Sequence, residues 1–469
     1  MHSRASFSSG TLSTEHPLLL CCSHPKIRMS TTAKYFNQYV KFMESQGAHL
    51  AGVAKVIPPA EWKPRSRTYD MTEIGDIEIP APISQVVYYG KKGVYEQSCS
   101  ARESMSVREL KEMAESEEFC NDRPALGDIE GVVNAYWKEV IPSGERVYGA
   151  DVNGSLMDAS LEVWNISKLG SILEVVSEDN NINIEGVNIS HLLFGSWKTT
   201  FAWHVEDMDL YSINYLHFGA PKTWYAIPPS YGRRFERVAA GYFPDDSKSC
   251  NAFLRHKTAV ISPGVLQSHG IPVDSITQKV GEFMITFPYG YHAGFNQGFN
   301  CAEATNFASE RWIEYGKRCV HCSCTIGSVK FSMDAFVRRF QNDKYENWRN
   351  GQDIGEHPEV PGEKVLANLP DGFGKTTPKN GKKIKKTVVP LSFPELADDD
   401  DLDLLEGDDS KESNKMEILD ATLLKMTKTR LSQLRMQESN FQKRTVKSIA
   451  IAYRFYARTE ERNPENLRK

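Results

Sequence analysis

The chain has 469 residues, of which 40% are hydrophobic and 25% charged, so it can bury a sizeable core, and its length predicts two or three domains. The formal net charge of -5 is uneven, because residues 395–409 hold nine acidic and no basic residues and the remainder is mildly basic. This balance gives no strong signal of direct nucleic-acid binding, and no apolar stretch approaches the roughly 20 residues that would cross a bilayer.

The first half of the chain predicts a leader followed by small helical and strand elements. Residues 1–29 lack the apolar core and the positive charge of a secretory signal, so they predict a disordered leader. Residues 33–45 carry apolar side chains at helical spacing, and residues 52–57 predict a strand that ends at the prolines following it. Residues 106–116 and 161–177 also have helical patterns.

Between residues 192 and 307 the pattern changes to short aromatic and β-branched runs separated by Gly, Pro or Asn. These runs predict a mixed, mainly β fold whose core is a double-stranded β-helix, the jelly-roll or cupin architecture, with helices around it. After residue 350 the composition shifts to Gly, Pro, Lys and Asp. This shift predicts a linker and charged tail, with a possible helix over residues 415–456.

A His-x-Glu pair, His204 and Glu206, lies on one of the predicted strands. Since residues two apart face the same side of a strand, the pair directs an imidazole and a carboxylate into one site. His292 follows another predicted strand and would complete the two-histidine, one-carboxylate set that binds iron(II) and leaves coordination positions open. By itself the pair is weak evidence, because an ordinary polar pair has the same pattern.

Three further residues are candidates for binding an anionic cosubstrate. Asn214 and Lys222 belong to the next two predicted strands, and a buried ammonium needs an anionic partner to offset its desolvation. The far carboxylate of 2-oxoglutarate suits that role, and Tyr148 is a candidate second donor to it. The alternatives are a solvated lysine and a tyrosine that only packs.

Long ordered strings surround these residues: FAWHVEDMD at 201–209, SINYLHFG at 212–219 and FPYGYHAGFN at 287–296. They closely resemble the JmjC domain of the lysine-specific demethylase 4 (Jumonji domain 2) family, and residues 46–49 and 58–64 resemble its JmjN domain. The likeness covers roughly residues 33–341. It divides the chain into a JmjN-like domain at 30–72, a helical and mixed connecting region at 73–157, a JmjC domain at 158–324, a helical end of the core at 325–350 and a linker and tail at 351–469.

The resemblance implies an oxygenase that demethylates histone lysines. The expected substrates are trimethylated and dimethylated lysine 9, lysine 36 or both in the histone H3 tail, with hydroxylation of a methyl group followed by release of formaldehyde. Chromatin would be the partner and the nucleus the location, which the basic run at 375–386 also favours. By resemblance, iron(II) binds His204, Glu206 and His292, 2-oxoglutarate binds Tyr148, Asn214 and Lys222, and oxygen is the second cosubstrate.

A structural zinc site is a further implication of the resemblance. The nine cysteines are too sparse for a disulfide scaffold and indicate a reducing compartment with thiols or metal sites. On spacing alone Cys319 competes with Cys324 as a ligand, since Cys319-x-x-Cys322 is ordinary zinc-knuckle spacing and His321 lies nearby. The family's site of one histidine and three cysteines maps onto Cys250, His256, Cys322 and Cys324.

The methyl-lysine pocket departs from the family pattern. His191 and Leu193 replace two tyrosines, and losing a phenol removes an oxygen that would contact polarised N-methyl groups. The preferred methylation state is therefore open, and the alternatives are a weak or silent chromatin-binding scaffold and a side-chain hydroxylase on the same fold. Positions that match the family's pocket are Gly186, Glu206, Ala304 and Thr305.

Overall fold

A computed structural model describes residues 21–23, 33–120, 122–140, 146–179, 187–322, 324 and 329–369. Gly186 and the predicted tail beyond residue 369, with its charged runs and possible helix, lie outside the described residues. Among the described helices, none is long and apolar enough to span a membrane.

The described residues contain eighteen strands. They are β1 (Cys21–Ser23), β2 (Val53–Ile57), β3 (Glu78–Ile79), β4 (Ile83–Tyr89), β5 (Val94–Ala101), β6 (Met105–Ser106), β7 (Arg146–Asn153), β8 (His191–Gly195), β9 (Thr200–His204), β10 (Tyr211–Gly219), β11 (Lys222–Ile227), β12 (Ala259–Ile261), β13 (Asp274–Gln278), β14 (Phe283–Thr286), β15 (Tyr291–Asn296), β16 (Asn300–Phe307), β17 (Ile354–His357) and β18 (Val360–Leu366).

The helices are mostly short and lie between the strands in the sequence. They are α1 (Ala33–Ser45), α2 (Met71–Ile74), α3 (Val107–Glu115), α4 (Glu117–Cys120), α5 (Ile129–Lys138), α6 (Ile172–Asp179), α7 (Gly232–Tyr242), α8 (Pro244–Ser249), α9 (Pro263–Ser268), α10 (Trp312–Gly316), α11 (Asp334–Phe340) and α12 (Asn342–Arg349). Single 3-10 turns occur at Ala48–Ala51, Asp207–Asp209, Pro229–Tyr231 and Phe253–His256.

Two sheets of the described residues form the core. The larger has ten strands in the order β1-β2-β14-β10-β16-β8-β7-β4-β5-β12, and the smaller has four in the order β13-β11-β15-β9. All pairings within these sheets are antiparallel except that of β1 with β2. The predicted mixed, mainly β class is thereby confirmed.

The predicted helices over 33–45 and 106–116 are confirmed by α1 and α3. Helix α1 buries Phe36, whose ring makes edge contacts with Trp164 at 5.1 Å and with Phe307 at 5.0 Å between centroids. Helix α3 begins at a capping box, in which Ser106 accepts from the Glu109 amide and the Glu109 carboxylate accepts from the Ser106 amide. These contacts explain why both helices form where periodicity placed them.

The helix predicted over residues 161–177 is wrong in its first half, since α6 starts only at Ile172. Trp164 has φ 58° and Gly170 has φ 64°, both in the left-handed region that interrupts a helix. The Asn165 amide instead donates to the carbonyl oxygens of Asp158 and Leu161 at 3.3 and 3.0 Å. Asparagine therefore stabilises a local turn here, as its side chain commonly does.

A short strand lies inside the segment predicted as a disordered leader. Strand β1 pairs in parallel with β2, with Cys21 opposite Lys55 and Ser23 opposite Ile57. Three residues are too few to show strand alternation in the sequence. The strand forms because these residues pair with the edge of β2. The domain boundaries proposed from the resemblance stay predictions.

Candidate metal and cosubstrate site

A cavity of about 380 Å³ lies between the two sheets. Strands β9, β11 and β15 of the smaller sheet supply one wall, and β7, β8, β10 and β16 of the larger sheet supply another. Polar side chains of strands from both sheets therefore meet in one space. The sequence-predicted residues that line it are Tyr148, His191, Leu193, His204, Glu206, Asn214, Lys222, His292, Ala304 and Thr305.

The predicted iron ligands meet at this cavity. His204 ends β9 and lies directly opposite His292 of β15, while Glu206 follows two residues after His204. One ligand atom from each residue lies within 4.8 Å of the others, and the Nε2 atom of His292 is 3.5 Å from the Glu206 carboxylate. The register between β9 and β15 thus brings together residues 88 positions apart in the chain.

Backbone carbonyls orient both imidazoles. The Nδ1 atom of His204 lies 2.7 Å from the Ala202 oxygen, and that of His292 lies 3.0 Å from the Gly290 oxygen. A proton on each Nδ1 leaves the Nε2 lone pair directed into the cavity, as a metal ligand requires. Burial, together with the neighbouring His292, holds the pKa of His204 well below its usual value, which favours the neutral ring.

The Glu206 carboxyl group is held in its ionised form. Burial alone would raise its pKa, but the contact with His292 and the nearby positive charges outweigh burial and hold the pKa well below its usual range. The Asn306 amide donates to its second oxygen at 3.1 Å. Two neutral imidazoles and one carboxylate are the donors of a non-haem iron(II) site, so these side chains fit that ion.

Lys222 supplies an ammonium group with no anion beside it. Lys222 is 2% exposed, and among the described residues its side chain has no hydrogen bond and no carboxylate partner. Its Nζ atom lies 5.9 Å from the Tyr148 ring centroid and 5.6 Å from that of Phe201. Burial lowers its pKa to about 7. A buried cation without a counter-ion suits an anionic ligand such as a carboxylate.

Asn214 lies on β10 beside this ammonium. Its Oδ1 atom accepts from the Gln278 amide at 3.1 Å, which fixes the side-chain orientation and leaves the Asn214 NH2 group for the cavity. Tyr148 lines the same cavity from β7. The three residues proposed to hold 2-oxoglutarate are therefore gathered around one pocket.

A second cluster gathers one histidine and three cysteines within 4.8 Å of one another, namely Cys250, His256, Cys322 and Cys324. The Nε2 atom of His256 lies 3.4 Å from the Cys322 sulfur and 3.1 Å from the Cys324 sulfur, and the two sulfurs are 3.3 Å apart. These soft and borderline donors suit a closed tetrahedral zinc site.

Cys319, the competing ligand, lies outside this cluster. Its sulfur contacts the Gly316 carbonyl oxygen at 3.2 Å and the His321 ring at 3.6 Å. Burial, reinforced by the charge of Asp209, raises the pKa of the Cys319 thiol, which disfavours the thiolate that zinc requires. The geometry therefore favours Cys324 over Cys319.

We expect Cys324→Ser to lower the zinc content of the purified protein and its melting temperature, because a hydroxyl is a poor substitute for a thiolate ligand. Cys319→Ser is the matched control and should retain full zinc. Metal analysis by mass spectrometry, with thermal unfolding of both variants, checks the prediction. Zinc loss in the Cys319 variant alone would contradict it.

The two departures from the family's pocket face the cavity as the sequence suggested. His191 and Leu193 alternate along β8 with the buried Leu192 and Phe194. Across the sheet, His191 lies opposite Ala304 of β16. The pocket wall thus presents an imidazole and an aliphatic side chain to any substrate.

Sequence reasoning missed residues that complete the cavity. Asn306, which contacts Glu206, lies at the end of β16, and its amide also donates to the Tyr211 carbonyl oxygen at 3.0 Å. Gln97 and Cys99 reach the cavity from β5, in the region predicted only as a connection. Residues 96–100 read EQSCS, without large apolar residues between them, so no alternation in the sequence distinguishes these two positions.

Residues 191–307 match the family described as the JmjC domain, a hydroxylase. That span contains the three candidate iron ligands, Asn214 and Lys222. The protein therefore carries a JmjC domain, and the predicted cupin-type β core is confirmed.

The chain is similar to three lysine-specific demethylase 4 proteins. It is 56% identical over 319 residues to lysine-specific demethylase 4B of Mus musculus, and this match covers 68% of this chain and 29% of that relative. It is 53% identical over 329 residues to lysine-specific demethylase 4D of Rattus norvegicus, and this match covers 70% of this chain and 63% of that relative. It is 53% identical over 319 residues to probable lysine-specific demethylase 4F of Homo sapiens, and this match covers 68% of this chain and 49% of that relative. The resemblance to this family is thereby confirmed.

The matched part spans only 29 to 63% of the length of these relatives. The JmjN-like assignment of residues 30–72 stays a prediction, as do the individual site residues. The lysine demethylation that these names give is a property of the relatives themselves.

Proposed function

We propose that this protein is an iron(II)- and 2-oxoglutarate-dependent oxygenase that removes methyl groups from trimethylated and dimethylated lysine 9, lysine 36 or both of histone H3. The proposal rests on one cavity in which the ligand atoms of His204, Glu206 and His292 meet the ammonium of Lys222, which has no carboxylate partner among the described residues. The similarity to lysine-specific demethylase 4 proteins supports the substrate class.

In this proposal His204, Glu206 and His292 hold iron(II). Iron(II), 2-oxoglutarate and oxygen together supply hydroxylation of an N-methyl group, after which the hydroxymethyl amine releases formaldehyde. This chemistry needs no lone pair on the substrate nitrogen, so trimethyl-lysine is an allowed substrate. The protein's own contribution is to bind and orient the reactants.

Lys222 and Tyr148 are assigned to the far carboxylate of 2-oxoglutarate. Pairing with that carboxylate raises the pKa of Lys222 from about 7, so the cosubstrate is bound by a full positive charge in a dry pocket. The Asn214 NH2 group is assigned as a further donor to the cosubstrate. Because the cation has no counter-ion until the cosubstrate arrives, the site selects for an anion.

A methylated lysine side chain is assigned to the wall formed by His191, Leu193, Ala304 and Thr305. The Glu206 carboxylate, at the same cavity, supplies negative charge toward which a methylammonium is drawn. The partner in this proposal is the methylated histone H3 tail on chromatin, in the nucleus. Imaging of the fluorescently tagged protein tests the location.

Mass spectrometry of methylated histone H3 peptides tests the proposed activity. The protein is incubated with iron(II), ascorbate and 2-oxoglutarate, and with matched reactions that omit 2-oxoglutarate or contain a chelator. We expect the complete reaction alone to remove the mass of one CH2 group per cycle and to release formaldehyde. Absence of mass loss on every peptide would overturn the proposal.

The aliphatic side chain of Leu193 supports a second candidate function. An aliphatic residue offers no oxygen to polarised N-methyl groups, which favours either hydroxylation of another protein side chain or histone binding without turnover. A stable gain of one oxygen mass would identify the hydroxylase. Peptide binding without any succinate produced would identify the silent scaffold.

We expect Leu193→Tyr to increase demethylation of a trimethyl-lysine peptide. The phenol oxygen, by accepting from polarised N-methyl groups, contributes about 1 kcal/mol of attraction, which corresponds to roughly a fivefold gain in kcat/KM. Leu193→Phe adds a ring without the oxygen and is the matched control. Equal rates for the two variants would show that the missing phenol oxygen does not limit the reaction.

A further inference from the structure

The chain makes a strained turn immediately after Glu206. Residues Asp207–Asp209 form a single 3-10 turn in which Met208 has φ 56° and Asp209 has φ 52°. Two consecutive non-glycine residues in the left-handed region are unfavourable unless their surroundings impose the conformation. Both residues are buried. Contacts with other segments must therefore hold this turn.

Arg255 provides two of these contacts with one guanidinium group, which also binds a third acceptor outside the turn. Its Nη1 donates to the Glu206 carbonyl oxygen at 2.7 Å, and its Nη2 donates to the Asp209 carboxylate at 2.6 Å. Its Nε donates to the Val320 carbonyl oxygen at 2.7 Å. The arginine and aspartate side chains are 11% and 3% exposed, so solvent screens this pairing little.

The same turn is held at one further point. The Trp312 indole donates to the Met208 carbonyl oxygen at 2.9 Å, and Trp312 is fully buried. Glu206 itself is held at both ends, since Arg255 binds its carbonyl oxygen and Asn306 binds its carboxylate. The direction of the Glu206 side chain follows from its backbone, and Arg255 fixes that backbone.

We propose that Arg255 is a positioning residue for the metal-binding carboxylate of Glu206, holding the strained 206–209 turn so that this carboxylate meets His204 and His292. The inference rests on the proposed iron site. Lysine cannot replace this arginine, because an ammonium lacks the planar fork that binds three acceptors at fixed angles. Without the fork the turn relaxes toward ordinary backbone angles and the carboxylate leaves its place.

Arg255 also joins two parts of the chain that carry proposed metal ligands. It precedes His256 in the sequence and binds the Val320 carbonyl, two residues before Cys322. The 206–209 turn is thereby tied to the segment at the cysteine cluster. A variant at this position must accordingly be checked for zinc content before its effect is assigned to the iron site.

Binding of manganese(II), followed by electron paramagnetic resonance without 2-oxoglutarate or peptide, tests the inference. Manganese(II) prefers nitrogen and oxygen donors, so it reports the His204, Glu206 and His292 site while zinc occupies the cysteines. We expect Arg255→Lys to weaken manganese binding by about tenfold or more, as loss of an outer-shell partner commonly does, with unchanged zinc content.

Arg318→Lys is the matched control. Arg318 is also a buried arginine near the same turn, but it pairs with Glu314 and with Asp353 at 3.1 Å and, among the described residues, its guanidinium makes no hydrogen bond to residues 206–209. Its variant should lose stability without losing manganese affinity. An Arg255→Lys variant that folds, keeps zinc and binds manganese as the wild type does would overturn the inference, as would equal losses in both variants.

Asp209→Asn tests the positioning role of Arg255 if Arg255→Lys does not fold. Asparagine tolerates the left-handed region as aspartate does, but it weakens the charge-assisted bond to Arg255. We expect a loss of manganese affinity of about threefold, smaller than that of Arg255→Lys; unchanged affinity would overturn the inference. Since manganese binding needs no turnover, a failure of the demethylase proposal would leave these results distinguishable.

Discussion

Replacing Lys222 with methionine should stabilise the cosubstrate-free protein and at the same time abolish 2-oxoglutarate binding. The lysine is 2% exposed and has no anionic partner among the described residues, so its charge is costly in the empty cavity. Methionine has similar length and carries no charge. Thermal unfolding without cosubstrate and calorimetric titration with 2-oxoglutarate measure the two effects, and a variant that is less stable or binds normally would contradict the prediction.

The stability gain should depend on pH in a defined direction. Burial lowers the pKa of Lys222 from 10.5 to about 7, so between these values the unfolded chain holds a proton that the folded protein does not. Wild-type stability therefore rises with pH across this window, at up to about 1.4 kcal/mol per pH unit. The advantage of Lys222→Met should be largest below pH 7 and should vanish above pH 10.5. Wild-type affinity for 2-oxoglutarate should fall as pH rises above about 7.

Lys198 offers a matched control because it is equally buried but paired. Its ammonium contacts the Asp122 carboxylate and donates to the Glu139 carbonyl oxygen at 2.8 Å. Lys198→Met should therefore destabilise the protein, since it leaves Asp122 without its cationic partner, and should leave 2-oxoglutarate binding unchanged. Opposite signs for the two lysines would separate the cost of an unpaired charge from the general effect of removing a lysine.

His204→Ala should reduce demethylation below detection. The variant removes one of three proposed ligands whose atoms lie within 4.8 Å of one another, and we expect the remaining two to be too few to hold iron(II) in place. The loss should exceed the roughly 100-fold that removal of an outer-shell partner can cause. His269→Ala is the control, because His269 is exposed and, in the described part of the chain, its side chain contacts the Tyr242 ring and its hydroxyl, the latter at 2.8 Å. Peptide mass spectrometry measures both, and retained turnover in His204→Ala would exclude this histidine as a ligand.

Local sequence was sufficient for features that depend on a single element. Strand alternation predicted that His204 and Glu206 face one side, and both line the cavity. Helical spacing located α1 and α3. The placement of His292 beside them came from the assumption of a neighbouring strand, and the β15 to β9 register supplies that contact.

Features set by tertiary contacts escaped prediction. Arg255 follows Leu254 in a short 3-10 turn, and nothing in that local sequence indicates that it binds the Glu206 carbonyl 49 residues away. The choice between Cys319 and Cys324 likewise depends on where each sulfur points, since their spacings are equally plausible. The break before α6 was missed because helical periodicity continues through Trp164 although its backbone does not.

Strand β2, which belongs to the predicted JmjN-like domain, completes the edge of the sheet that contains the JmjC strands. It covers β14, with Phe283 opposite Val56 and Thr286 opposite Val53, and β14 in turn borders the strand that carries Asn214. Cutting the chain down to residues 191–307 would leave β14 with an open row of amides and carbonyls ready to pair with another molecule. We therefore expect residues 191–307 alone to aggregate more readily than the chain that includes β2.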